Sequence, residues 1–395
     1  MKTQMTALAA AVTITMSGMA FAQQLPLDNS VSWGVDNPNT SVDNDNWNNV
    51  APAVPSASNI LPALGSLGPT SDASQNVSNI NQTGSGTSAN QASVQQGGGI
   101  GNQSDVIQTK TSASGGPNET YVDQFGDDNV SYVIQDLSQS GLAETLQTGT
   151  NNQGRIEQLG AQNDSAFINQ LGADNKSVVQ QGLGGGSSGN IATSTQGGLL
   201  HDSVIRQTGS GNNASATQLG VGGQSAIAQN RGLNQATYLD IGVDNTSYIR
   251  QRRIGSDGNT ADVFQAGFSN FSEIGQDGSD NFASVDQLGA LNNSDVQQSG
   301  DDNVALVAQA SSNSDSVVNQ NGDDNFANVA QTGIFGSNES YILQSGNNHE
   351  ATVLQARGLG FGGANISTVT QVGAVGSSAS VSQSGTGNWA STIQY

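Results

Sequence analysis

The chain has 395 residues, room for two or three globular domains, yet only 11% of residues are charged, 5% are aromatic and 51 are glycine. So few large apolar groups cannot fill the thick core of an ordinary domain at about 25 cal/mol per Å² buried, which leaves either disorder or a very thin core of small side chains. A formal charge of -22 argues against nucleic-acid or anionic-membrane partners, because phosphate contacts need Lys and Arg, and the absence of cysteine excludes disulfides and thiolate metal sites.

At the amino terminus, Met1 and Lys2 lead into a small-apolar run that extends from Leu8 to Ala20-Phe21-Ala22 and turns polar at Gln23. A positive start, an apolar run too short to span a bilayer and a small-x-small site predict a signal peptide over 1–22, removed on export. Residues 23–75 hold Pro26, Pro38, Pro52, Pro55, Pro62 and Pro69, together with Asp28, Asp36, Asp43 and Asp45, and contain no Lys or Arg. Proline withdraws backbone donors and the carboxylates repel one another, so a disordered leader is expected here. Trp33, Trp47 and Ile60-Leu61 could be recognition motifs within it, or the segment could be a passive spacer.

From Asn76 to the end, residues 76–395, the chain is a repeat. Asn270, Asn281, Asn292 and Asn303 are spaced by 11, as are Gln276, Gln287, Gln298 and Gln309, and the unit reads N-x-[AS]-x-[VI]-x-Q-x-G plus two turn residues. Asn325-x-Ala327-x-Val329-x-Gln331-x-Gly333 fits it too, and the glutamine position recurs about 27 times from Gln82 to Gln394, with Asp240 substituting once. Within each unit the period is two, so Asn, Ala or Ser, Val or Ile, and Gln project to one face of a strand while unconstrained residues such as Ser284, Leu306, Tyr341 and Arg155 project to the other. Gly-x-x-Asn, as in Gly289-Ala290-Leu291-Asn292, supplies a residue tolerant of positive φ and then a turn-forming Asn.

The predicted fold is therefore all-β. Strand, turn, strand, turn makes a rung of about 22 residues, and about 13 rungs stack at about 4.8 Å into a β-solenoid of two facing, parallel, in-register sheets roughly 60 Å long. Register places each Gln amide against the Gln of the next rung and each Asn against the next Asn, which satisfies buried polar groups that would otherwise cost a few kcal/mol. The predicted stacking ladders include Asn270, Asn281, Asn292, Asn303 and Asn325, and Gln276, Gln287, Gln298, Gln309 and Gln331. The end strands, marked by Asn76 and Gln82 at one end and Asn388 and Gln394 at the other, are expected to expose unpaired edges with no capping segment.

These residues resemble the curlin repeat, in which Ser-x5-Gln-x-Gly-x2-Asn-x-Ala-x3-Gln spans two strands. Ser272-x-Ile274-x-Gln276-x-Gly278-Ser279-Asp280-Asn281-x-Ala283-x3-Gln287 carries it, as does Ser294-x3-Gln298-x-Gly300-x2-Asn303-x-Ala305-x3-Gln309. The closing Gln383-x-Gly385-x-Gly387-Asn388-x-Ala390-x3-Gln394-Tyr395 is similar to the end of the family's major fibre subunits. The resemblance implies an extracellular amyloid fibre of the biofilm matrix that serves cell aggregation and surface adhesion. It implies self-association, a nucleating minor subunit, periplasmic chaperones and a dedicated outer-membrane secretion pore as partners. The array is much longer than the handful of repeats typical of the family, which leaves open whether one chain needs to polymerise.

Other chemistry weighs less. His201 and His349 each stand where Asn normally begins a unit and fall in strands of opposite sheets, so no shared metal or catalytic site is expected; neighbours of His201 alternate faces, which argues against a triad with Asp202 and Ser203. Gly184 to Gly189 lacks the Lys-Ser/Thr pair of a phosphate loop and reads as an enlarged turn. Arg250, Arg252 and Arg253 read as a solvated basic face. Asp280, Asp302 and Asp324, spaced by 22, form a column along one edge that is either a weak calcium ladder or, as favoured, a charge gatekeeper against premature assembly. No enzyme activity, cofactor or membrane insertion is expected, and the alternative to a fibre subunit is a monomeric secreted β-solenoid acting as an adhesin or ice-binding protein.

Overall fold

The computed structural model describes residues 76–84, 89–110, 116–182, 187–253, 257–333, 337–357, 363–374 and 376–395; the expected signal peptide (1–22) and leader (23–75) lie outside the described residues. Regular structure among these residues is all β. Two compact units divide them, one ending at Gly258 and the other beginning at Asn259. The first unit carries 15 strands, from Val77–Gly84 to Thr246–Arg253, and the second 12, from Thr260–Phe268 to Trp389–Gln394.

In each unit successive strands alternate between two sheets, so every strand hydrogen-bonds in parallel with the strand two places along. This is the β-solenoid expected from the period. Register is strict: Phe282 pairs with Val304, Ala283 with Ala305, Val285 with Val307 and Gln287 with Gln309, a displacement of 22 residues between these two strands, and Gln still meets Gln where the displacement widens, as from Gln331 to Gln355. Strands keep the two-residue alternation, buried at Ala283, Val285 and Gln287 and part-exposed between them in Phe282–Ala290. Extra residues are absorbed in the turns. Where the glutamine spacing widens before Gln196, Ser188 bridges to Gln162 and Ser210, and the ladder resumes with Ala192 paired to Ala166.

The core is as thin as the composition requires, and it is asymmetric. One sheet of the second unit presents a column of buried alanines, Ala261, Ala283, Ala305, Ala327 and Ala351; the facing sheet presents buried serines at the equivalent place, Ser272, Ser294, Ser316, Ser340 and Ser367. Val and Ile fill the next inward position in both, with Val285, Val296 and Ile274 fully buried. β-branched side chains suit this pleated, narrow space.

The described Gly-x-x-Asn turn passes twice through the left-handed region. Glycine opens it at positive φ, as at Gly289 (114°) and Gly278 (127°), and the Cβ of any other residue at Gly278 would lie 1.9 Å from the carbonyl oxygen of Gly300 on the next rung. The second left-handed residue is not the Asn but the one before it: Leu291 (58°), Asp280 (54°), Asp302 (58°) and Asp324 (56°). Asn itself is buried, its side chain turned into the solenoid. A turn that flips the chain one residue earlier frees the amide for the interior.

Candidate functional site

Two kinds of amide column run along each unit, and the backbone dictates their geometry. The last inward position of the strands carries Gln, except at Asp240, and parallel register brings equivalent side chains to one strand spacing. In the second unit Gln276 Nε2 donates to Gln298 Oε1 at 2.8 Å, Gln298 to Gln320 at 2.9 Å, Gln287 to Gln309 at 2.8 Å and Gln309 to Gln331 at 2.9 Å. In the first unit the same column starts with Gln82 donating to Gln108 at 2.6 Å and continues through Gln135, Gln158 and Gln181. Every one of these amides donates to the rung that follows it in sequence.

The sequence pattern did not reveal the glutamines' other partner. Nε2 also reaches across the thin core to a main-chain carbonyl of the facing sheet: Gln287 to Phe271 O at 2.7 Å, Gln298 to Phe282 O at 3.0 Å, Gln309 to Asn293 O at 2.9 Å and Gln331 to Asp315 O at 2.9 Å. Those carbonyls lie at the start of a strand, where the chain has just left the turn. One amide therefore ties its own column to the opposite sheet, which a side chain without two N–H donors cannot do.

Asn columns run with the opposite polarity. Asn292 donates through both its main-chain N–H and its Nδ2 to Asn270 Oδ1, each at 3.1 Å, and its Nδ2 also reaches Ser311 O at 2.8 Å. Asn281, Asn303 and Asn325 repeat the arrangement, with Nδ2 to Oδ1 distances of 3.0 Å for the Asn303 to Asn281 and Asn325 to Asn303 steps. Asn donates backward along the chain where Gln donates forward. A single Oδ1 thus serves a main-chain N–H that the turn would otherwise leave without a partner.

The departures from Asn show what this position demands. At His201, Nδ1 accepts the Gly223 N–H at 3.1 Å and Nε2 lies 3.3 Å from Gly197 O, so the neutral imidazole reproduces the acceptor and donor of an Asn amide. His349 makes the equivalent contacts, with Nδ1 facing the Ser377 N–H at 3.3 Å and Nε2 at 3.2 Å from Gly373 O. Burial pushes the His201 imidazole below its ordinary value, which keeps it in the neutral form this arrangement uses. Asp164 accepts the Asn190 N–H at 2.8 Å through Oδ1 and the Ser187 hydroxyl at 2.5 Å through Oδ2.

Asp240 is the substitution for Gln, and its surroundings change with it. Tyr238 takes the Val position two residues earlier and is fully buried, Asn245 Nδ2 donates to Asp240 Oδ1 at 2.6 Å, and Oδ2 has no hydrogen-bond partner. Gly223 stands where Asn would, and a Cβ there would lie 2.3 Å from Asp240 Oδ2. The glycine makes room for the carboxylate. Burial lifts the Asp240 carboxyl to about 6, against the opposing hydrogen bonds from Asn245 and Tyr238.

At the outermost described strands the columns meet solvent: Asn76 and Gln82 are exposed, and Asn388 and Gln394 are part-exposed. Asp280, Asp302 and Asp324 are exposed on one turn edge. Beside them, Asp301 Oδ1 accepts the Ser279 N–H at 2.8 Å and Asp323 Oδ1 accepts the Asp301 N–H at 2.9 Å, so the neighbouring acidic column is tied to the main chain. Among the described residues no three of His, Asp and Glu gather closely enough to hold a metal ion, and no helix is long and apolar enough to cross a membrane. Outward positions are less independent than their variability suggested. Arg155 pairs with Glu157 and lies 5.4 Å from the Tyr132 ring centroid, Gln180 donates to Glu157 at 2.6 Å, and Arg206 Nε donates to Gln180 at 2.9 Å.

Two stretches of the chain, residues 257–289 and 322–356, match the model of the curlin associated repeat. No curated protein matches the chain. The matched stretches hold the Asn, Ala, Val and Gln positions whose stacking is described above, and the remaining rungs place the same residue types in the same columns: the chain carries curlin associated repeats.

Proposed function

We infer that the chain is a secreted structural subunit that stacks end to end into an extracellular, curli-like amyloid fibre. The carrying observation is the polarity of the two columns. Gln donates toward the carboxyl-terminal side and Asn toward the amino-terminal side, so an end bearing Gln394 and Asn388 presents a Gln donor and an Asn acceptor. An end bearing Gln82 and Asn76 presents the complement. Head-to-tail addition of a second copy continues both columns and the strand hydrogen bonds, whereas head-to-head contact sets donor against donor. Fibre growth of this kind suits a biofilm matrix, cell aggregation and surface adhesion, with a nucleating subunit, periplasmic chaperones and an outer-membrane secretion pore as the partners such a fibre uses.

Incubation of the purified secreted chain, followed by fibre diffraction, tests the reading. Dye-binding fibrils with a meridional reflection near 4.7 Å are the expected result. A chain that stays monomeric by sedimentation, at concentrations and times over which seeds are supplied, would instead support a monomeric solenoid adhesin.

A further inference from the structure

Outward positions of this protein are mostly polar, but three to four rungs of the first unit depart from that. On one sheet, Leu171, Gly197, Leu219 and Ile241 are register partners, and two residues further along Ala173, Leu199, Val221 and Val243 form a second column. Leu171 is 60% exposed, Leu199 46%, Leu219 40%, Ile241 47% and Val243 37%, with Leu200 at 60% in the adjoining turn. Between the columns run Gly172, Gly198 and Gly220, with φ of 124°, 129° and 130°. A Cβ at Gly172 or Gly198 would lie 1.9 Å from the carbonyl oxygen of the next glycine, so no side chain can fill this line.

The surface is two apolar ridges, about 7 Å apart along the strand, flanking a trough floored by main chain. Leu219 leans over the gap in its own column, since a Cβ at Gly197 would meet its Cδ2 at 2.9 Å. Ridges beside a trough of similar width are self-complementary: a second copy turned about a two-fold axis lays a ridge into each trough. The exposed apolar area is roughly 500 Å², at the top of the range for a lone chain and below the ~800 Å² per partner of a stable pairwise interface.

We propose that this patch is a lateral docking surface for the same patch on a second copy of the chain. Between isolated chains the contact is weak and transient. In a stacked fibre, a reading on which this step rests, the patch recurs once per copy along the fibre, and many weak contacts add to hold two filaments side by side. The exposed Asp244 at the rim makes pairing stronger in moderate salt.

A single introduced cysteine tests this, because the chain has none of its own. Soluble full-length chain carrying Leu219→Cys is oxidised with copper phenanthroline and compared with Asn230→Cys, which places the thiol on the other sheet. Disulfide dimers are expected to form at least tenfold faster at position 219, and adding Leu171→Ser and Ile241→Ser should bring the rate down to that of the control. Fibres of the triple Leu171→Ser, Leu219→Ser, Ile241→Ser variant are expected as single filaments where unsubstituted fibres are paired. Equal rates at the two cysteines, or a rate at 219 untouched by the serines, would overturn the proposal. So would patch-dependent binding to phosphatidylcholine vesicles without cross-linking, which would assign the surface to lipid. Cross-linking at 219 in a chain that never forms fibres would leave lateral pairing standing and remove the end-to-end reading.

Discussion

Five buried serines of the second unit, Ser272, Ser294, Ser316, Ser340 and Ser367, have hydroxyls with no hydrogen-bond partner, while alanine occupies the equivalent place on the facing sheet. An unpaired buried hydroxyl costs about 1–3 kcal/mol of desolvation. Ser294→Ala and Ser316→Ala should therefore each raise stability by about 1 kcal/mol, read as a higher guanidinium midpoint; a drop in both would mean that these hydroxyls hold bonds in solution. Asp240 is the opposite case, a charge where the column wants an amide. Its carboxyl sits at about 6 folded against 3.8 unfolded, so the folded state binds the extra proton. Its stabilising contribution is fully present below about pH 3.8 and is lost as pH rises through 6, a swing on the order of 3 kcal/mol. Asp240→Asn should flatten this part of the stability profile between pH 4 and 7 and stabilise the fold at pH 7.5. Asp315, held at about 6 by burial and then by Glu339, adds a dependence of the same sign that Asp240→Asn leaves in place. An unchanged profile in the Asp240→Asn chain would show that Asp240 does not titrate in this range.

A strand here is held less by its own residues than by what they contact one rung away. Replacing Gln287, Gln309 and Gln331 by Leu removes four column bonds, including the one that Gln287 accepts from Gln265, and three bonds to the facing sheet. At about 1 kcal/mol for each of these bonds, with the facing carbonyls left unpaired, the variant should lose several kcal/mol and assemble far more slowly. The same number of changes at the outward Ser284, Leu306 and Asn328 should shift the midpoint by less than about 1 kcal/mol. Comparable losses from both sets would contradict the facing seen in the strands. The acidic turn column belongs to this scale too. Two carboxylates 4.8 Å apart in water repel by roughly 0.9 kcal/mol before screening, so Asp280→Asn, Asp302→Asn and Asp324→Asn together should speed seeded growth at low salt and reduce its response to added salt. Asn tolerates the left-handed backbone of these positions, so the turns survive the change. Growth curves that keep the full salt response would assign the effect to the remaining acidic residues.

Much of this was legible in the amino-acid order, for a physical reason. A two-residue period nested in an 11-residue one can be satisfied by few structures, so Val285 and Gln287 announce a strand, a face and a register together. What the pattern hid were interactions that leave no period of their own. The bond from Gln287 to the Phe271 carbonyl depends on how closely the two sheets approach, which the small Ala283 and Ser294 permit but do not declare. The left-handed residue before the inward Asn varies among Asp280, Leu291 and Asn151, so no single residue type marks it. Gly223 looked like one more glycine in a glycine-rich chain, although it compensates for Asp240 a strand and a turn away.

For the molecule as a whole, the register of 22 residues has a consequence for how such a chain can change in length. Excising residues 293–314 from the second unit removes one full rung and joins Asn292 to Asp315, and every later residue keeps its sheet, its column and its neighbours' chemistry. Excising only 293–303 also leaves a continuous strand pattern, but it moves every later strand to the other sheet and sets alanines such as Ala305 into the serine column. The 22-residue excision should leave the unfolding midpoint nearly unchanged apart from the loss of one rung's contribution, while the 11-residue one should lower it further; identical midpoints would mean the two sheets are interchangeable. Length in this protein therefore comes in whole steps of one rung. A gene that gains or loses 66 nucleotides in frame makes a longer or shorter protein of the same design, so recombination between repeats can tune its reach with no other residue having to adapt.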